Sequence, residues 1–143
     1  CNRSGIVSSF FTYTGELENN PWDEIDFEFT GKDTRVVYLN FYANGSLGNG
    51  KAVPLDFDAA EDFHEYSFEW REDSITWYVD GREIYRVSDE DAVIPSHPGH
   101  IIMNTWQCNP VSDSFIVRWG GEYEPSDEYA AAEYRMVRYE PLQ

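Results

Sequence analysis

The chain has 143 residues, of which 41% are apolar and 17% aromatic, and its formal net charge is −17. This length fits one domain with a substantial core, and we expect a single domain over residues 1–143. The aromatic and apolar content argues against a disordered chain, and the negative charge argues against a nucleic acid partner, because a polyanion would be repelled.

No apolar run approaches the roughly 20 residues that span a bilayer, and no basic and apolar leader opens the chain. We therefore expect a soluble protein with no membrane partner, from which any leader has been removed. The first residue is Cys1 rather than Met, so we expect the natural start to lie upstream. The two cysteines, Cys1 and Cys108, do not by themselves establish an oxidising compartment.

Alternation of apolar and polar residues predicts short strands through most of the chain. In chain order the predicted strands are residues 5–14, 22–29, 34–43, 66–70, 75–79, 99–106, 115–119 and 133–139. The turn-forming residues at 71–74 and at Asp80-Gly81 predict hairpins on both sides of the strand at 75–79. Near residues 128–138 a helix competes with the strand, because Ala130-Ala131-Ala132 favours helix. Many short strands separated by turns predict an all-β, antiparallel sandwich or barrel.

Three carboxylates occupy alternate positions in the strand predicted at residues 22–29. Because successive side chains of a strand point to opposite faces, Glu24, Asp26 and Glu28 share one face of it. Like charges aligned on one strand face repel one another, so folding gives no reason for the arrangement. The row indicates a functional site.

Hydrolysis of a glycosidic bond usually needs two carboxyl groups, one protonated and one ionised. On a flat strand the Cα atoms of Glu24 and Glu28 are about 13 Å apart. A curved, twisted sheet would let the two side chains lean toward the roughly 5.5 Å that a retaining mechanism requires. Crowding would also separate the pKa values of the three acids and so supply an acid and a base. A solvated acidic face and a calcium site are the alternatives.

Aromatic and amide residues on neighbouring predicted strands favour a carbohydrate groove. Apolar faces of sugar rings stack on aromatic side chains, and sugar hydroxyls bind amides and phenols. The pairs that share a face are Phe11 and Tyr13, Asn40 and Tyr42, and Asn104 and Trp106. Core packing is the alternative for each aromatic residue, whereas an amide in an apolar strand costs stability unless it has partners.

The histidines are interpreted as non-catalytic. His97 and His100 lie in a segment rich in proline and glycine, so we expect solvated loop side chains rather than metal ligands. His64 begins a strand, and we expect a structural role for it.

Four segments together resemble glycoside hydrolase family 16, and within it the bacterial lichenases, which are endo-β-1,3-1,4-glucanases. They are residues 5–15, 22–29, 31–34 and 77–81, and the likeness extends from Gly5 to about Tyr139. The resemblance implies a β-jelly-roll sandwich with its active site on the concave sheet. It also implies hydrolysis with retention of anomeric configuration.

By position, the resemblance makes Glu24 the nucleophile and Glu28 the general acid/base, with Asp26 tuning both. The uninterrupted Glu-x-Asp-x-Glu motif marks lichenases and xyloglucan-active enzymes, whereas laminarinases and agarases typically insert one residue. The positions that match sugar-contacting residues of the family are Phe11, Tyr13, Trp22, Asn40, Tyr42, Asn104 and Trp106.

Two departures from the family pattern stand out. The strands that precede Gly5 in family members are absent, so we expect an N-terminal segment, a second chain or a swapped partner to complete the sheet. Arg135 occupies a position where lichenases usually carry an Asp that binds a structural calcium, so we expect neither a metal nor a cofactor.

The cysteines lie near the ends of the strands at 5–14 and 99–106. If those strands are antiparallel neighbours, the two cysteines meet, and we hypothesise a Cys1–Cys108 disulfide; pairing of Cys1 with the absent segment is the alternative.

The resulting expectation is a secreted endo-β-1,3-1,4-glucanase acting on mixed-linkage β-glucan. The alternatives are a xyloglucan hydrolase or transglycosylase of the same family and a non-catalytic carbohydrate-binding jelly roll.

Overall fold

A computed structural model describes residues 1–15, 21–48, 50–108 and 114–142 of the chain. In chain order its elements are β1 (Ile6–Thr14), β2 (Asp23–Thr30), β3 (Val36–Ala43), β4 (Ser46–Leu47), β5 (Lys51–Pro54), β6 (Tyr66–Trp70), β7 (Ser74–Val79), β8 (Arg82–Ser88), β9 (His100–Gln107) and α1 (Ser114–Gly120). Within these ranges, no helix is long and apolar enough to cross a membrane.

The strands form two antiparallel sheets. The larger sheet has the order β4-β3-β2-β1-β9, with β5 also pairing with β3, and the smaller has the order β6-β7-β8. The expected all-β, antiparallel sandwich is confirmed. The six predicted strands that end before residue 107 are confirmed as well, and the predicted and observed ends of each differ by no more than two residues.

The core lies between the two sheets. Ile25 and Phe27 of β2 pack with residues of β3 and with Ile75 and Trp77 of β7. Trp77, which is fully buried, also donates its indole N–H to the backbone oxygen of Asp26 at 3.2 Å. This contact fixes the middle of β2 against the smaller sheet, so the opposite face of β2 is presented outward from a rigid support.

Both predicted hairpins of the smaller sheet are present. The N–H of Arg71 donates to the oxygen of Ser74 at 2.8 Å and closes the turn between β6 and β7. Asp80 and Gly81 take φ values of 49° and 76° between β7 and β8, the left-handed conformation that a tight hairpin requires.

The strand predicted at residues 115–119 is wrong, because this segment forms α1. A short apolar run is compatible with either structure, and sequence periodicity cannot separate them. The helix is closed by a bond from the N–H of Gly121 to the oxygen of Val117 at 2.9 Å. Gly121 takes a φ of 91°, the left-handed cap that ends many helices.

The strand predicted at residues 133–139 is also wrong, because residues 121–142 have no regular secondary structure. A strand needs a backbone partner, and this segment is held instead by side chains. Tyr134 donates its hydroxyl proton to the backbone oxygen of Ser9 at 2.9 Å. Arg3 donates to the backbone oxygen of Glu124 at 2.6 Å.

The hypothesised Cys1–Cys108 disulfide is contradicted, because both cysteines are free. The premise that β1 and β9 are antiparallel neighbours holds, with Ile6 opposite Gln107. That register places Cys108 beside Gly5, to whose oxygen it donates its backbone N–H at 2.7 Å, and not beside Cys1. The Cys108 thiol packs so closely against Gly120 that a Cβ atom at this position would clash with the sulfur.

Candidate active site

The three acids of β2 lie on the face of the larger sheet that is turned away from the core. Asp26, in the middle, is only 4% exposed, whereas Glu24 and Glu28 are half-buried. The alternation read from the sequence therefore corresponds to the actual faces of the strand.

The strand register gives each acid one neighbour on β1 and one on β3 that point to the same face. The three rows are Tyr13, Glu24 and Tyr42; Phe11, Asp26 and Asn40; and Ser9, Glu28 and Tyr38. On β9, Asn104 lies opposite Ser9 and Trp106 lies opposite Val7, which extends the same face beyond β1. The structure thus places the predicted sugar-contacting residues of β1, β3 and β9 on one surface with the acids.

Trp22 precedes β2 and closes one end of this surface. Its indole stacks on Tyr42 with ring centroids 4.2 Å apart. Its Nε1–H donates to Oε2 of Glu24 at 2.5 Å. Trp22 therefore combines a flat aromatic surface with direct control of the orientation of one acid.

Aromatic residues also border the other end of the row of acids. Trp119 of α1 lies 5.4 Å from Tyr38 and 6.1 Å from Trp106 between ring centroids. Tyr38 was missed in the sequence, although it continues the alternation of Asn40 and Tyr42 along β3. Trp119 carried no sequence signal, because its segment was predicted to be a strand.

The proton affinities of the acids are strongly perturbed. Burial, then the charges of Glu24 and Glu28, and a hydrogen bond to Glu24 raise the pKa of Asp26 to about 10. Burial and then the charge of Glu24 raise the pKa of Glu28 to about 7. Asp26 therefore carries a proton at neutral pH, and Glu28 is poised between its two forms.

The charges of the acids also affect the phenol group of Tyr42. Burial, followed by the charges of Glu24, Asp26 and Glu28, raises the pKa of Tyr42. Tyr42 therefore stays neutral and presents a hydroxyl group for hydrogen bonding beside the acids.

The residues present do not fit the structural calcium that the family resemblance implies. The guanidinium carbon of Arg135 lies 3.6 Å from the centroid of the Phe63 ring, a cation–π contact. A guanidinium group has no lone pair for a cation, and calcium requires several oxygen ligands. In the described ranges, no group of three or more His, Cys, Asp or Glu side chains is arranged to hold a metal ion.

His97 is not the solvated loop side chain expected from the sequence. Its Nδ1 lies 2.9 Å from Oδ2 of Asp23, the residue between Trp22 and Glu24. His64 forms a similar pair with Asp80, in which Nδ1 and Oδ2 are 2.7 Å apart. Both residues are distant in sequence from Glu24, Asp26 and Glu28. His100 is the first residue of β9 and lies opposite Tyr13.

Comparisons with known proteins agree with one another. Residues 1–123 match the family model described as glycosyl hydrolases family 16. The chain is 51% identical over 137 residues to a β-glucanase of Acetivibrio thermocellus and 46% identical over 137 residues to a β-glucanase of Bacillus subtilis. Each match covers 96% of this chain, but only 38% and 53% of the respective relatives.

Solved structures give the same result. The crystal structure of a prokaryotic β-1,3-1,4-glucanase (lichenase) derived from a mouse hindgut metagenome is similar with a TM-score of 0.78 and 48% sequence identity. The match covers 87% of this chain and 55% of that one. The chain thus spans about half the length of most of the proteins that it resembles.

Proposed function

The chain belongs to glycosyl hydrolase family 16, and we propose that it is a retaining endo-β-1,3-1,4-glucanase that hydrolyses mixed-linkage β-glucan by double displacement. The observation that carries the proposal is the row of three acids on β2, in which Asp26 holds a proton between Glu24 and Glu28. Neither a solvated acidic face nor a purely sugar-binding surface requires carboxyl groups with such different proton affinities.

In the first step Glu24 attacks the anomeric carbon of the sugar, and Glu28 gives its proton to the departing glycosidic oxygen. A pKa of about 7 allows Glu28 to hold that proton near neutral pH. Glu24 is held in place by two donors, the indole N–H of Trp22 and the carboxylic acid of Asp26. The bond between the two sugars breaks as the bond between Glu24 and the sugar forms.

In the second step Glu28, now ionised, removes a proton from a water molecule, which attacks the anomeric carbon. Glu24 leaves as a carboxylate, and Glu28 regains its proton. Two inversions at one carbon give retention. Asp26 keeps its own proton throughout, so its hydrogen bond holds Glu24 without adding a third negative charge.

The residues flanking the acids support a polysaccharide substrate. Phe11, Tyr13 and Tyr42 supply aromatic surface, and Asn40 and Asn104 supply amides beside it. Trp22 at one end and Trp106 at the other extend the aromatic surface beyond a single sugar ring. Because such a polymer does not cross a membrane, we also propose that the protein acts outside the cell. Glucanase activity in cell-free culture medium is the measurement that tests this.

Product analysis tests the choice of substrate. We expect the chain to release reducing sugar from barley mixed-linkage glucan and to release little from xyloglucan, because its relatives are glucanases. The control is the Glu24→Gln protein on both polymers. Faster release from xyloglucan, or transfer to xyloglucan fragments, would support the transglycosylase alternative and contradict the assignment.

We further propose that additional strands cover β9 in the functional assembly. Ile101 and Met103 point to the core face of β9 yet are each 39% exposed, and in the described residues β9 pairs on one side only. We expect light scattering with intact-mass analysis to show a second polypeptide segment or a second copy bound to the chain. A folded, active monomer of this chain alone would contradict the proposal.

A further inference from the structure

The carboxylate of Asp23 is bound on two sides by loops. Its Oδ1 accepts the backbone N–H of Asn44 at 2.7 Å, and its Oδ2 accepts those of Ser96 at 2.7 Å and His97 at 2.9 Å. The Nδ1 of His97 is also 2.9 Å from Oδ2. The Asp23 side chain is only 2% exposed, so these four contacts replace its hydration.

The contacts establish which atom carries the proton. Burial alone would raise the pKa of Asp23, but the backbone N–H groups of Asn44, His97 and Ser96 and the His97 side chain lower it below its ordinary value. Asp23 is therefore a carboxylate that only accepts hydrogen bonds, and Nδ1 of His97 must be the donor. The His97 side chain is 33% exposed.

The loop that carries His97 is itself anchored to the other sheet. Trp70 of β6 donates its indole N–H to the backbone oxygen of Pro95 at 2.8 Å. The imidazole of His97 therefore joins a loop fixed to the smaller sheet with the first residue of β2.

Asp23 lies directly between the two residues that define one end of the site. The backbone oxygen of Trp22 accepts the N–H of Gly45 at 2.7 Å, from the turn that also binds Asp23 through Asn44. The Trp22 indole donates to Glu24. A small movement of the backbone at Asp23 would therefore change both the aromatic stack and the hydrogen bond that orients Glu24.

We propose that His97 is a positioning residue, which holds Asp23 to the loop at residues 95–97 and thereby keeps Trp22 and Glu24 in the arrangement that binds and attacks the sugar. The part concerning Glu24 rests on the proposed function, whereas the part concerning Trp22 does not. The three backbone donors keep the fold together without the imidazole, so the expected effect is on geometry more than on folding.

The test compares three variants. His97→Ala removes the side-chain donor, whereas His97→Asn keeps an amide N–H at the reach of Nδ1. His64→Ala is the matched control, because it breaks a second His–Asp pair, to Asp80, that does not contact the acids.

The first measurement needs no activity. The Trp22 indole N–H signal, identified among the five tryptophans by its loss in Trp22→Phe, is followed by ¹H–¹⁵N NMR. We expect it to move or broaden in His97→Ala, to return toward its original position in His97→Asn, and to stay in place in His64→Ala.

The second measurement is kinetic, on mixed-linkage glucan. We expect kcat to fall about tenfold in His97→Ala, short of the roughly 100-fold that a 1 Å misplacement caused by a mutation far from the chemistry can cost. We expect His97→Asn to recover to within about twofold of the original kcat, because a hydrogen bond to the Asp23 carboxylate is restored. KM should change less than kcat, since Trp22 is displaced but the other proposed sugar-binding residues on β1, β3 and β9 remain in place.

An unmoved Trp22 signal in His97→Ala would overturn the proposal, as would equal losses of kcat in His97→Ala and His64→Ala. Absence of hydrolysis by the unmodified chain in the assembly that covers β9, with the Trp22 signal responding as expected, would contradict the proposed function and leave the positioning of Trp22 by His97 standing.

Discussion

Replacement of Glu24 by glutamine is expected to lower kcat on mixed-linkage glucan by about 10⁴-fold or more, because the amide cannot form the covalent sugar intermediate. Glutamine has the same shape, and its amide oxygen can still accept the hydrogen bond of Trp22. The substitution therefore removes the nucleophilic carboxylate and keeps the shape of the side chain and its contact with Trp22. Release of reducing sugar over time measures the effect.

The thermal midpoint of the Glu24→Gln protein separates loss of chemistry from loss of fold. The charge of Glu24 raises the pKa of both Asp26 and Glu28, which shows that the three acids repel one another in the folded chain. Removing that charge should raise the midpoint. A large fall in the midpoint would trace the loss of activity to the fold, whereas an activity within about tenfold of the original would contradict the role of Glu24 as the nucleophile.

Replacement of Glu28 by glutamine is expected to lower kcat on β-glucan by about 10²-fold to 10⁴-fold, the usual contribution of a general acid and base. The loss should depend on the substrate. With a dinitrophenyl glycoside as substrate, the dinitrophenolate leaves without needing a proton, so the first step should proceed. The sugar–enzyme intermediate should then accumulate, because no base activates water for the second step. Azide, which needs no base, should restore turnover.

The pH dependence of the unmodified chain follows from the same residue. Glu28 must hold its proton in the first step, and its pKa is about 7, so kcat/KM on β-glucan should fall as the pH rises through 7. That fall should be absent for Glu28→Gln acting on the dinitrophenyl substrate. A similar fall in that variant would assign the titration to another group.

Side-chain alternation is the part of this structure that a sequence expresses most directly. Because a strand repeats every two residues, the positions of Glu24, Asp26 and Glu28 predicted a shared face, and the pattern of β3 placed Asn40 and Tyr42 beside them. The pairing of β1 with β9 also followed the expectation that led to the disulfide hypothesis. The thiols failed to meet because Cys108 lies opposite Gly5, several residues away from Cys1.

Long-range contacts account for what was missed. The helix α1 occupies a run that fits a strand equally well, and its Trp119 meets Tyr38 only through the fold. Residues 133–139 have a mixed pattern that was interpreted as a strand, yet a strand exists only where another backbone pairs with it. His97 lies 74 positions from Asp23 in sequence, and no local pattern relates the two.

Covalent trapping would show which residue attacks the sugar. A fluorinated β-glucoside with a good leaving group slows the second step, so the sugar should remain bound to the nucleophile long enough for digestion and mass spectrometry. One added sugar is expected on the peptide that contains residues 22–29, with fragmentation placing it on Glu24. A sugar attached to Glu28 or to any other residue, or an active enzyme that is never labelled and releases the inverted anomer, would contradict the role of Glu24 as the nucleophile.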